Sequence, residues 1–144
     1  MTNTVKRRDF LALTSVAMAA GITLPSFAIA APLDFKPGVV DARLQAGETV
    51  FLDFKASWCT TCAAQERVLD KLKAAEPAYE NSITFVNVDW DVYGKAEFTK
   101  KLKIPRRSTL VVLKGNQEIG RLVAETREDK IKALLDAALS ATSA

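Results

Sequence analysis

The sequence contains no histidine and only two cysteines among its 144 residues. The lack of histidine excludes histidine-based acid–base catalysis and removes the commonest metal ligand of proteins. The formal net charge of +3, from 20 basic and 17 acidic side chains, is too small and too evenly mixed to indicate nucleic-acid binding. With 49% hydrophobic and 26% charged residues, the chain has an ordinary globular composition and a length suited to one domain.

The first thirty residues have the pattern of an export signal. A basic start that includes Arg7 and Arg8 precedes a chargeless stretch rich in alanine and leucine. Residues 28–30 provide the small-x-small pattern required for cleavage after Ala30. Residues 7–11 match the twin-arginine pattern Arg-Arg-x-Phe-Leu. We therefore expect twin-arginine export to the periplasm, a signal peptide at residues 1–30 and a mature domain at residues 31–144.

Two other interpretations of this segment remain open. The arginine pair is also the kind of charge that a general secretory signal needs. Residues 10–33 carry no charge and are long enough to span a bilayer as an uncleaved anchor. Several hydroxyl residues and a proline dilute that stretch, which favours cleavage. On this interpretation the protein meets a membrane only through its export signal, before cleavage.

Cys59 and Cys62 are the only cysteines, and two residues separate them. One such pair does not make a multi-disulfide scaffold. A disulfide between them would close a loop too short for much chain-entropy stabilisation. The spacing therefore favours a catalytic pair over a structural one.

Hydrophobic patterning predicts the element order β-α-β-α-β-α-β-β-α. Alternation up to the third helix implies parallel strands joined by crossover helices, and the last hairpin adds an antiparallel edge. Thr126, with Asp129 three residues later, is predicted to cap the final helix. We expect an α/β fold, a mixed sheet with helices on both faces. The predicted strands are residues 33–35, 49–54, 83–88, 109–113 and 118–124, and the predicted helices are 39–47, 59–76, 94–102 and one that follows 126.

The segment from Trp58 to Cys62 directly follows a predicted buried strand and opens a helix. A thiol at a helix N-terminus faces unpaired N–H groups and the positive end of the helix dipole, and both favour the nucleophilic thiolate. Cys62, one turn deeper, can attack a mixed disulfide formed at Cys59. A zinc site would need more ligands, and the chain has no other cysteine or histidine. The motif therefore predicts redox chemistry with no cofactor and no metal.

Three stretches of the chain resemble the thioredoxin superfamily: residues 52–62, 86–89 and 109–115. Within it, residues 62–66 and 89–102 are most similar to the C-terminal periplasmic domain of the disulfide-reductase transporter DsbD and to similar exported thioredoxins. The resemblance implies a thioredoxin-like fold over the mature chain. It also implies that Cys59 attacks, that Cys62 resolves, and that Asp53 is the buried acid that handles the proton of the second thiol.

Asp53 lies between Leu52 and Phe54 in a predicted central strand. Burial raises the pKa of a carboxyl group toward values useful for proton transfer. Lys55 lies two residues on and therefore on the same face of the sheet. It either pairs with Asp53 and keeps it ionised or reaches solvent, and the sequence does not choose between these.

The sequence departs from the family in the loop before the strand at 109–113, where thioredoxins carry a cis-proline that pairs with substrates. An ungapped alignment puts Ser108 at that position and Arg107 before it, whereas Pro105 fits only with three extra residues. The tightly specified register of a buried strand favours the ungapped alignment. We therefore expect a trans Arg107–Ser108 bond and Arg107 beside Cys59, with Trp58, Arg107 and Ser108 contacting the client. The missing proline also leaves the cysteine pair less shielded from metal ions.

The leading functional hypothesis is a periplasmic thiol–disulfide oxidoreductase, a reductase or shuttle that keeps the cysteines of a client protein reduced. Asp53 and Trp58 resemble residues of reducing family members, which implies an upstream membrane thiol reductant as a second partner. One alternative is a copper(I) carrier that uses Cys59 and Cys62 as soft ligands, although no methionine lies near them. Another is a disulfide-donating oxidase or isomerase, which only the reduction potential would separate from a reductase.

Overall fold

The computed structural model describes residues 31–144. The predicted signal peptide, its twin-arginine motif and the cleavage site after Ala30 lie outside the described residues. Within residues 31–144, no helix is both long enough and apolar enough to cross a membrane.

Five strands form one mixed sheet in the spatial order β1-β3-β2-β4-β5. The central strand β2 is buried along its length except for half-buried Lys55 at its end, as its β-branched and aromatic residues predict. β1 and β2 run parallel to β3, and β5 pairs antiparallel with β4. The strands are Leu33–Asp34 (β1), Thr49–Lys55 (β2), Ile83–Asp89 (β3), Thr109–Lys114 (β4) and Gln117–Val123 (β5).

Helices cover both faces of the sheet. One core cluster brings together apolar residues of α2, α3 and α6 with the sheet, and the other packs residues of α1 and of the α4–α5 region against the opposite face. The predicted α/β fold with helices on both faces is therefore confirmed. The helices are Val39–Gln45 (α1), Thr60–Ala75 (α2), Ala78–Ser82 (α3), Trp90–Tyr93 (α4), Glu97–Lys101 (α5) and Glu128–Ala141 (α6).

The alternation of side chains along β2 decides where Asp53 points. Phe51 belongs to the core beneath α2 and α6, whereas Leu52 and Phe54 belong to the core on the other face. Because side chains alternate along a strand, Asp53 shares the face of Phe51. Burial of a phenylalanine contributes about 1.5–3 kcal/mol, so a slip of register that exposed Phe51 would be costly. The apolar pattern of β2 thus holds the carboxyl group beneath α2.

The predicted parallel direction of β4 is wrong, because β4 runs antiparallel to β2. The register shows why. Lys55, the last residue of β2, pairs with Asp89, the last residue of β3, and Thr109, the first of β4, pairs with Phe54. The chain thus enters β4 at the end of the sheet where β3 leaves it. A crossover helix returns the chain along the full length of a strand to the other end of the sheet, and the short helices α4 and α5 do not do this.

The predicted helix at residues 94–102 is also wrong in its bounds, because two short helices occupy the region. The Asp89 side chain caps α4 by accepting a hydrogen bond from the Asp91 N–H at 2.9 Å. Gly94 follows α4, and an extended Ala96 separates it from α5. Glycine carries the highest helix cost of any residue except proline, which is consistent with a break there. A further short helix that the patterning did not predict, α3, begins after Pro77.

The predicted cap at Thr126 does not form, since α6 begins at Glu128 with Arg127 in the N-cap position and no side-chain cap. The Glu125 carboxylate instead accepts hydrogen bonds from the backbone N–H groups of Thr126 and Arg127, at 3.0 and 2.9 Å. These two amides precede the first turn of α6, so the carboxylate orders the loop that leads into the helix and does not cap the helix itself.

Candidate active site

Cys59 is the N-cap residue of α2 and is disulfide-bonded to Cys62. Its extended backbone starts the helix, and its Sγ accepts a hydrogen bond from the Cys62 N–H at 3.2 Å. An N-cap side chain that accepts from a first-turn amide normally carries oxygen, and here sulfur takes that place. The same amide and the helix dipole would stabilise a thiolate at Cys59. Both cysteines are buried, with exposed fractions of 4% for Cys59 and 1% for Cys62.

Trp58 forms the exposed rim beside the disulfide. Its side chain is 57% exposed, and its indole Nε1 donates to both carboxylate oxygens of Asp91, at 3.1 and 3.0 Å. The Arg107 guanidinium carbon lies 4.3 Å from the centre of the Trp58 ring, in a cation–π contact. Val92, next to Asp91, is 65% exposed. The rim is therefore apolar, with one charge of each sign against the indole.

Ser108 is the residue whose side chain contacts the two sulfurs. Its Oγ lies 3.2 Å from Cys59 Sγ and 3.2 Å from Cys62 Sγ, and the residue is fully buried. The Arg107–Ser108 peptide bond is trans, since the described residues contain no cis bond. Pro105 is exposed. The loop thus places Ser108 against the cysteines, and Ser108 is the residue that the ungapped alignment put at the proline position.

Asp53 is a buried carboxyl group beneath α2. Burial raises its pKa from 3.8 to about 6, and the positive charge of Lys55 opposes that rise without cancelling it. Asp53 Oδ1 has no hydrogen-bond partner. A cavity of about 30 Å³ borders Asp53 and has room for one water molecule. A carboxyl with this pKa is largely ionised at neutral pH and able to accept a proton from a thiol.

Lys55 takes neither of the two positions that the sequence left open. Its Nζ pairs with Glu66 Oε1 on α2 at 2.8 Å. The negative charge of Glu66 in turn raises the pKa of Asp53. The ion pair therefore draws the lysine charge toward the helix, and desolvation dominates at Asp53.

Gln65 was not predicted as a site residue, yet it connects the site to two loops. It is fully buried on α2, one turn after Cys62. Its Nε2 donates to the carbonyl of Ser108 at 3.1 Å and to the carbonyl of Glu125 at 3.0 Å. The signal in the sequence is a polar residue on the apolar stripe of α2, four positions before Leu69. A buried amide at such a position needs partners, and here they are loop carbonyls.

Within the described part of the chain, no three histidine, cysteine, aspartate or glutamate side chains gather as a metal-binding group. Trp90 packs against the small cluster of Ala56, Cys59 and Cys62 from the side of α4. What the site brings together is therefore a disulfide, a hydroxyl at both sulfurs and an exposed aromatic rim, and the Asp53 carboxyl group is buried on the central strand beneath the same helix.

Comparison with known proteins identifies the family. The thioredoxin family model matches residues 33–137. Thioredoxin H2-1 of rice is 28% identical over 65% of this chain, and rice thioredoxin H5 is 34% identical over 58% of it. The chain spans 64% and 57% of the length of these two curated relatives.

Solved structures show the same architecture. The crystal structure of Trxlp from Edwardsiella tarda superposes with a TM-score of 0.60 at 28% identity, covering 72% of this chain and 95% of that one. The thioredoxin of Malassezia sympodialis, at 23% identity and a TM-score of 0.58, covers 78% of this chain and 98% of its own, and shows the fold alone. On the match over residues 33–137, this chain belongs to the thioredoxin family.

Proposed function

We propose that this protein is a periplasmic thiol–disulfide oxidoreductase that acts as a reductase or shuttle and keeps the cysteines of a client protein reduced. The observation that carries the proposal is the Cys59–Cys62 disulfide at the N-terminus of α2, where Cys59 Sγ accepts the Cys62 amide hydrogen. This arrangement stabilises a thiolate at the outer cysteine and keeps the second sulfur within reach of the first.

The reaction consists of two exchanges. The Cys59 thiolate attacks one sulfur of a client disulfide, and the other client sulfur leaves as a thiolate that takes a proton from water. Cys62 then gives its proton to the Asp53 carboxylate and attacks Cys59 Sγ. The Cys59–Cys62 disulfide forms, the second client sulfur leaves as a thiolate, and two electrons have passed to the client.

The raised pKa of Asp53 suits the second exchange. A carboxyl with a pKa of about 6 is ionised at neutral pH, yet it is a stronger base than an ordinary aspartate. The two residues between the cysteines are uncharged threonines, so the histidine that is typical of strongly oxidising family members is absent from this position. Both features support the reducing direction, with a reduction potential closer to about −270 mV than to about −120 mV.

The location and the second partner rest on the sequence. The twin-arginine motif and the small residues before Ala31 support export and cleavage. A periplasmic reductase needs a supply of electrons, and the similarity to the C-terminal domain of DsbD supports a membrane thiol reductant in that role. The client is a protein with a disulfide or thiols.

The test is dithiothreitol-driven reduction of insulin by the purified protein. Cys59→Ser should abolish the reaction, and Cys62→Ser should accumulate mixed disulfides with the client. Ser57→Ala, a change at an exposed neighbouring residue, serves as the control and should retain activity. Faster labelling of Cys62 than of Cys59 by iodoacetamide at neutral pH would refute the assigned roles. Equilibration with glutathione measures the potential, and a value near the oxidising limit would favour a disulfide donor.

A further inference from the structure

The position that a proline occupies in thioredoxins carries a hydroxyl group in this protein. Ser108 Oγ lies at the same distance, 3.2 Å, from the sulfurs of Cys59 and Cys62. No solvent reaches the residue, and its backbone is left-handed with φ 61°. A non-glycine residue with positive φ is uncommon, and such conformations persist only where the surroundings hold them.

We propose that Ser108 is a catalytic residue of the reaction given under Proposed function, on which this inference rests. In the reduced protein its hydroxyl donates a hydrogen bond to the Cys59 thiolate and accepts one from the Cys62 thiol. A hydroxyl provides one donor and two acceptor sites, so a single group satisfies both sulfurs. Proline has no side-chain donor and could not do this.

The same hydroxyl serves the second exchange. When Cys59 enters the mixed disulfide, its sulfur loses its negative charge and no longer needs a donor. When the proton of Cys62 passes to Asp53, the hydroxyl rotates and donates to the new thiolate at Cys62. The nucleophile of each exchange is thus stabilised in turn by the Ser108 O–H, and no proton is gained or lost by the serine.

Gln65 is the positioning residue for this hydroxyl. The Ser108 N–H donates to the Phe54 carbonyl at 2.7 Å, and the Ser108 carbonyl accepts from the Ala124 N–H at 2.8 Å and from Gln65 Nε2 at 3.1 Å. Gln65 lies on the same helix as Cys62, so its amide ties Ser108 to the element that carries the sulfurs. The Gln65 side chain is fully buried, and the two hydrogen bonds of its Nε2 hold the carbonyl groups of Ser108 and Glu125.

The first test measures the rate at which iodoacetamide labels Cys59 in the reduced protein as a function of pH. Ser108→Ala and Ser108→Gly both remove the hydroxyl, and glycine also tolerates the left-handed backbone. We expect both variants to be labelled about tenfold more slowly than the wild type below its titration midpoint, because a hydrogen bond to a charged group is lost. Thr109→Val is the control, since the Thr109 hydroxyl bonds to the Arg106 carbonyl and not to a sulfur. Coincident pH profiles for the wild type and both Ser108 variants would overturn the proposal.

The second test separates positioning from general stability. Gln65→Leu should slow labelling of Cys59 in the wild-type background and have no further effect in the Ser108→Ala background, because it acts through the hydroxyl. Equal effects in both backgrounds would contradict the positioning role. Neither test uses a client, so the two failures can be told apart: failure to reduce insulin would refute the proposed function, whereas unchanged labelling in the Ser108 variants would refute only the role of Ser108.

Discussion

Replacing Asp53 by asparagine should stabilise the oxidised protein at neutral pH and leave its stability in acid unchanged. In the folded protein the Asp53 carboxyl has a pKa of about 6, against 3.8 for an ordinary aspartate, because burial disfavours its charged form. The folded state therefore binds this proton more tightly than the unfolded state does. Asp53 contributes most to stability below pH 3.8, and that contribution is lost as the pH rises through about 6.

The size of the effect follows from the two pKa values. The gap between 3.8 and about 6, at 1.36 kcal/mol for each pH unit, corresponds to about 3 kcal/mol. Asparagine has nearly the shape of the protonated carboxyl group and does not titrate. The Asp53→Asn variant and the wild type should thus differ little at pH 3–4 and by about 3 kcal/mol above pH 7.

The assay is urea denaturation of the oxidised protein at pH values from 3 to 8, with the wild type, Asp53→Asn and Asp34→Asn compared. Asp34 is an exposed carboxylate on β1, so its substitution should leave the pH profile close to that of the wild type. Because other carboxylates titrate in both proteins, the decisive quantity is the difference between variant and wild type. A difference that stays constant between pH 4 and pH 7 would refute the assignment of a raised pKa to Asp53.

Three further predictions concern packing, client choice and export. In Gly94→Ala the added Cβ would lie 2.6 Å from the carbonyl oxygen of Trp90 and 3.0 Å from two of its ring atoms, and thermal unfolding should show a loss of about 1–3 kcal/mol. Arg107→Ala should slow reduction of a disulfide peptide with acidic flanks by up to about fivefold at low salt. Arg106→Ala and a peptide with basic flanks serve as controls. If Arg107→Ala changed the reduction rates of both peptides equally, a role of Arg107 in client choice would be excluded. Replacement of both arginines at positions 7–8 by lysine should block export while a control protein is still secreted, and continued export would exclude the twin-arginine route.

The parts of the site that local sequence determines could be predicted. The two cysteines lie three positions apart at a strand–helix junction, so an apolar run and a motif suffice to place Cys59 at the start of α2. Ser108 could be placed because the buried strand that follows it fixes the register of the loop. The apolar neighbours of Asp53 correctly indicated its burial, whereas its role in the site stays a prediction from the resemblance.

The parts that depend on distant segments could not be predicted. Gln65 meets partners 43 and 60 residues away along the chain, and no local pattern names them. Lys55 pairs with Glu66 because α2 lies above the end of β2, which is a tertiary fact. The direction of β4 depends on how α4 and α5 pack rather than on their composition. In each case the local sequence allowed several outcomes, and long-range packing selected one.

The central position of β2 has a consequence for how the chain is made. A ribosome releases β2 and β3 well before β4, which begins only at Thr109. Until then, the edge of the central strand β2 that pairs with β4 has unpaired backbone groups, and the two cysteines at the start of α2 lack the contact with Ser108. Unpaired edges of this kind favour association between chains. Nascent chains that end before residue 109 are therefore the form of this protein most in need of a chaperone.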